Sequence, residues 1–180
     1  MKRVMLDTNI HGEMVIDSDI DAVKENIRRK VVVHGFRLVR KELRAVSKLK
    51  YIGNHGLRIS LLALYDEVCK REYETTDEMK RIAESYYKAY REFGGSKSMD
   101  SIINDFMIVA CASVHAMNIV VSEDEKSMLT ENAARSLVTE NRKSLNHPKV
   151  KGVFRQIDSK RKLKEVEIKN CKSFIGETYE

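Results

Sequence analysis

Residues Phe106 to Met117 read FMIVACASVHAM, which is apolar nearly all the way round at helical spacing. A helix of that kind is buried on most of its sides, so the rest of the chain must supply the elements that cover it. Ala110, Cys111, Ala112 and Ser113 are small enough to let those neighbours approach closely. At 180 residues and 42% hydrophobic content, the chain suffices for one well-packed core and is too short for two comfortable ones. A single proline, eight glycines and 33% charged residues argue against disorder and against a loop-rich all-β design.

The covering elements can be read from the pattern. Val4 to Leu6 is a short apolar run closed by Asp7-Thr8-Asn9, as expected of a buried strand opening into a loop. Asp17 to Arg29 reads as a helix capped by Asp17 or Ser18, and Val31 to Val33 as a second strand. Phe36 to Val39 fits either another strand or the start of the helix that carries Arg40 to Val46. Leu57 to Lys70 and Asp77 to Phe93 read as helices forming a helical hairpin, the second capped by Thr76 and ended by Gly94-Gly95. The apolar helix, Met99 to Met117, leads into a strand at Ile119 to Val121. A helix at Thr130 to Leu145 is halted near Pro148, and Val153 to Ile157 reads as a last strand. Strands alternating with helices at these intervals predict an α/β sandwich with a mostly parallel sheet.

Several classes are disfavoured. Cys69, Cys111 and Cys171 are odd in number and far apart, with no C-x-x-C, so neither a disulfide framework nor a zinc site is indicated. No run of about 18 apolar residues would span a membrane, and Lys2, Arg3 and Asp7 interrupt any N-terminal leader. A reducing cytoplasm is the expected location. The net charge is +6, and Arg37 to Arg58 alone holds seven basic residues against one acid, Glu42. The segment 149–180 adds nine basic residues against five acidic ones, and reads as a basic extension packed on, or trailing from, a domain spanning 1–148. Such a field suits a polyanionic partner.

In open α/β sheets, ligands bind beyond the carboxyl ends of the strands, where Asp7 and Asp124 would emerge side by side. Glu42 and Asp105 are the other acids placed to reach that edge. Asp105 lies at the upstream end of the apolar helix, where the helix dipole favours an anion. Carboxylates drawn together raise one another's pKa and call for a cation. An all-oxygen set suits Mg²⁺ or Mn²⁺ better than Zn²⁺, and the five histidines show no ligand spacing. The basic stretch around Glu42 would hold an acidic substrate against such a cluster, which points to phosphodiester chemistry.

The segments VMLDTN at Asp7, VRKELR at Glu42 and INDFMIVACASVHAMNIVVSED from Ile102 to Asp124 resemble, in order and spacing, the PIN-domain family of metal-dependent nucleases. The resemblance covers roughly Lys2 to Leu145 and implies an α/β/α fold with a central parallel sheet. It further implies RNA cleavage by water activated at one or two Mg²⁺ or Mn²⁺ ions, with Asp7, Glu42, Asp105 and Asp124 as the acidic quartet. Asn9 would brace the first loop, and Ser122 stands where the family orients its first aspartate. Arg40, Lys41 and Arg44 would position the RNA backbone without reading bases. Many proteins resembling this family are toxins paired with an antitoxin, and homodimers are common among them, here with the Leu57 to Phe93 hairpin as the candidate surface. Glu42 departs from the pattern, since it follows GFRLVRK and not the family's more usual small residues.

Two other readings stand beside this one. A haloacid-dehalogenase-type phosphatase also opens with a strand and an aspartate but wants a second aspartate two residues on, where this chain has Asn9. A non-catalytic RNA- or partner-binding module on the same fold is the alternative from a different class.

Overall fold

The computed structural model describes residues 1–124, 128, 130–143 and 168–169. Five parallel strands form the central sheet: β1 (Lys2–Leu6), β2 (Val31–Phe36), β5 (Glu72–Tyr73), β6 (Ile119–Val121) and β7 (Ile168–Lys169), in the order β5-β2-β1-β6-β7. A separate antiparallel pair, β3 (Tyr51–Ile52) and β4 (His55–Gly56), forms a hairpin. The helices are α1 (Thr8–Ile16), α2 (Ile20–Lys30), α3 (Arg37–Ala45), α4 (Leu57–Val68), α5 (Asp77–Glu92), α6 (Met99–Val114) and α7 (Glu131–Lys143).

Strand side chains alternate between faces, and that alternation separates two cores. Val4, Leu6, Val33, Ile119 and Val121 pack with Ile10 and Met14 of α1, Val23 and Ile27 of α2, and Leu64 and Val68 of α4. Met5 and Val120 turn the other way, into a core built by α3, α5, α6 and α7 around Phe36, Leu43, Met79, Tyr86, Ile102 and Phe106. The result is a three-layer α/β/α sandwich. As its composition requires, α6 is covered nearly all round: every residue from Phe106 to Ser113 is buried.

Local signals explain several boundaries. Thr76 Oγ1 accepts from Met79 N at 3.3 Å and starts α5. Gly94, at φ +84°, ends it, with Gly95 N donating to Tyr90 O at 2.9 Å. Phe36 closes β2 and α3 begins at Arg37, which settles the boundary left open by the sequence.

Three expectations are corrected. Asp7-Thr8-Asn9 is no loop, because α1 starts at Thr8 with Asp7 as its N-cap. The expected helix at Asp17 to Arg29 starts later, at Ile20. Helices α4 and α5 form no hairpin: β5 lies between them, α4 packs beside α1 and α3, and α5 packs against α6 and α7. The strand expected at Val153 to Ile157, Cys171 and nearly all of the 149–180 extension lie outside the described residues; of that extension, Ile168–Lys169 pairs with β6. No helix among the described residues is long and apolar enough to cross a membrane.

Candidate functional site

The chain order places β1 between β2 and β6, so successive connections leave β1 in opposite directions and open a crevice at its carboxyl end. Leu6 pairs in register with Val121, and Asp7 N donates to Val121 O at 2.9 Å. The residues that follow each strand, Asp7 and Ser122, are thereby fixed side by side.

Asp7 is buried at 5% exposure, and both of its carboxylate oxygens are engaged. Oδ1 accepts from Thr8 N at 2.6 Å, the N-cap bond of α1, and Oδ2 accepts from Ser122 Oγ at 2.6 Å. The same Ser122 hydroxyl accepts from Asp124 N at 3.1 Å, so one buried serine positions two of the acids. Asn9 Oδ1 accepts from Glu123 N at 3.3 Å and ties the first turn of α1 to the loop after β6.

Glu42 arrives from α3, half-buried. Its Oε2 accepts from Thr8 Oγ1, and its Oε1 accepts from Asn104 Nδ2 at 2.7 Å. Three elements (α1, α3 and α6) therefore meet at one carboxylate. Asp105 sits half-buried on α6, one residue beyond Asn104.

Electrostatics set these groups against one another. Burial raises the Asp7 pKa above the ordinary carboxylate range; the hydrogen bonds from Ser122 and Thr8 oppose that rise, and the charges of Glu42 and Asp124 add to it. Beneath the site, His11 is buried, and desolvation lowers its pKa to about 4. A neutral imidazole beside a carbonyl must carry its proton on the facing nitrogen, so His11 Nδ1–H donates to Asp7 O at 3.0 Å.

The cations divide into two sets. Arg40, expected to face substrate, is half-buried and engaged by its own chain: it pairs with exposed Asp66 at 2.8 Å, lies 3.9 Å from Glu72 and sits over the Tyr65 ring at 5.9 Å. Lys41 and Arg44 are exposed, with no acidic partner among the described residues.

Of the acids singled out from sequence, Glu42 and Asp124 are brought within electrostatic reach of Asp7. Among the described residues, no three His, Cys, Asp or Glu side chains converge into a group that could hold a metal ion. Mg²⁺ ordinarily takes only one or two protein carboxylates and fills its remaining positions with water and substrate phosphate. A buried carboxylate pressed by two further anions, in a set made only of oxygens, fits a hard divalent cation by its donor chemistry and charge. Sequence reasoning missed Thr8 and Asn104, the two residues that hold Glu42. Thr8 was hidden by the loop reading of Asp7-Thr8-Asn9, and the Asn104 contact spans 62 positions with no local signal.

No match emerges from a comparison with curated proteins, and none from a comparison with solved structures. A model of the PIN domain matches residues 4–133, most of the chain and all of the elements that build this crevice. The chain belongs to the PIN domain family, a family of nuclease type.

Proposed function

We propose that this chain is a divalent-metal-dependent endoribonuclease, hydrolysing phosphodiester bonds of RNA at the carboxylate group around Asp7. The observation that carries the reading is the crowding of a buried Asp7 by Glu42 and Asp124, which a bound cation would relieve. Asp7 would be the principal ligand, joined by Asp105 and by Glu42 and Asp124 directly or through water. A Mg²⁺ or Mn²⁺ ion held there supplies Lewis acidity toward water and charge neutralisation at the scissile phosphate.

The protein's own part is positioning. Ser122 and the Thr8 amide hold the two Asp7 oxygens, each of which keeps a second lone pair. Thr8 and Asn104 fix Glu42, and Asn9 steadies the loop that presents Asp124. Such supporting bonds tune a metal site by preventing its ligands from reorienting. Lys41 and Arg44 would hold the RNA backbone, together with Arg40, whose guanidinium also pairs with Asp66. No 2′-hydroxyl nucleophile is needed, so the products would carry a 5′-phosphate and a 3′-hydroxyl. Toxin-like pairing with an antitoxin, or association into a homodimer, would be laid over this chemistry.

The test is incubation of labelled single-stranded RNA with purified protein and Mg²⁺ or Mn²⁺, with and without chelator, followed by analysis of the product ends. Cleavage to 5′-phosphate ends, stopped by chelator, is expected. Cleavage that survives chelation, or that leaves cyclic phosphates, would sink the reading. RNA bound and left intact with metal present would favour a binding module.

A further inference from the structure

Helix α3 ends at Ala45, three residues beyond Glu42, and hands the chain to the β3–β4 hairpin, which pairs with no strand of the main sheet. Gly53, at φ +53°, makes the turn, and Leu57 N donates to Lys50 O at 2.8 Å to close its base. Among the described residues, Leu49 just before this hairpin, Tyr51 within it and Ile59 in the first turn of α4 are large apolar side chains left exposed, at 86%, 65% and 71%. Tyr51 lies opposite Gly56 in the register, so no cross-strand side chain covers its ring.

The charge around that ring is one-sided. Residues 41–58 hold Lys41, Arg44, Lys48, Lys50 and Arg58 against Glu42 alone. None of the five has an acidic partner among the described residues, whereas Arg37 and Arg40 are paired with Glu74 and Asp66. Arg37 and Arg40 are thus neutralised by acids of the same chain, Lys41, Arg44, Lys48 and Lys50 are exposed, and half-buried Arg58 donates to Arg44 O at 3.5 Å. An open aromatic ring set among unneutralised cations is the arrangement by which proteins take up single strands, a base stacking on the ring while the cations follow the phosphates.

We propose that the β3–β4 hairpin, with the end of α3, is a docking arm for single-stranded RNA. Tyr51 stacks on a base, and Lys41, Arg44, Lys48, Lys50 and Arg58 lead the phosphates along α3 to the carboxylates at Glu42 and Asp7. The arm rests on the nuclease reading for its substrate but is separable from it by experiment.

The test is fluorescence anisotropy with a labelled single-stranded oligoribonucleotide and the full chain, in chelator so that nothing is cleaved. Tyr51→Ala should weaken binding by about 5- to 100-fold, as expected for loss of one base stack, while Tyr51→Phe keeps the wild-type affinity. Lys48→Ala with Lys50→Ala should reduce the slope of log affinity against log salt by about 1.4. All these positions are exposed, so urea unfolding midpoints should not move and lost binding cannot be attributed to misfolding. Affinity within twofold of wild type for Tyr51→Ala would overturn the arm, as would absence of RNA binding by the wild type. Equal competition by polyglutamate would also overturn it, by marking a surface that reads charge alone. Binding with the expected losses but no cleavage once metal is restored would leave the arm standing and remove the nuclease reading; cleavage unaffected by the arm variants would do the reverse.

Discussion

Replacing Ser122 by alanine removes a buried hydroxyl that makes two bonds at once. Its donation to Asp7 Oδ2, at 2.6 Å, is charge-assisted and lies out of water, a class worth about 1.5–3 kcal/mol. Its acceptance from Asp124 N, at 3.1 Å, is an ordinary bond worth about 0.5–1.5 kcal/mol. Ser122→Ala should therefore cost about 2–4.5 kcal/mol in urea unfolding of the metal-free protein near neutral pH, where the partner is a carboxylate. In an Asp7→Asn background the first bond becomes neutral, so the same substitution should cost about 1 kcal/mol less. The Ser122 bond also lowers the Asp7 pKa, so its removal leaves a carboxylate harder to ionise, and the cost should shrink as the pH is lowered and Asp7 becomes protonated. A cost below about 0.5 kcal/mol, or one identical in both backgrounds, would refute the claim that Ser122 stabilises a charged Asp7.

Three further outcomes follow from the same geometry. The folded Asp7 pKa lies above its ordinary 3.8, so the folded protein binds the extra proton; stability of metal-free protein should fall as pH rises from 3.8 through the raised value and stay reduced above it, and Asp7→Asn should lack that loss in urea titrations across pH. For His11, with a pKa of about 4 against an ordinary 6.5, the unfolded chain takes up the proton first, so stability should fall as pH drops from 6.5 toward 4, and proton NMR should show the imidazole neutral throughout that range; titration near 6.5 would contradict its placement. Gly35→Ala would set a methyl carbon 2.3 Å from Tyr65 Oη, whose proton is shared between Phe36 O at 3.1 Å and Glu72 Oε2 at 3.0 Å, and should cost about 1–3 kcal/mol by calorimetry; a neutral result would mean that β2 and α4 are not so closely packed.

What the sequence made legible, and what it hid, divides along physical lines. The buried helix α6, the strands β1 and β6, and α5 with its Thr76 cap carry their signals within a few residues, as periodicity, β-branched runs or caps. The nearness of Asp7 and Asp124 was also legible, because parallel neighbours in register bring equivalent ends together, whereas the place of Ser122 beside Asp7 came from the family resemblance. Helix α1 was hidden: Asp and Asn are turn formers as well as helix starters, and Gly12 interrupts the pattern within it. Strand β5, two residues long, offers no periodicity, and without it α4 and α5 look like consecutive helices on one layer when they lie apart. The β3–β4 hairpin did leave a signal, since Gly53-Asn54 is a two-residue turn between strand residues. The division of the cations into paired Arg40 and open Lys41 and Arg44 depends on partners 26 or more positions away, which no local pattern encodes.

The central claim is that Asp7 serves chemistry at some expense to the fold, and Asp7→Asn separates the two. Single-turnover cleavage of single-stranded RNA in Mn²⁺ should fall by more than about 100-fold in Asp7→Asn, beyond what loss of a supporting bond causes. In chelator, where both proteins are metal-free, its unfolding midpoint should equal or exceed that of the wild type. Cleavage within about threefold of wild type by a folded Asp7→Asn protein would contradict the account.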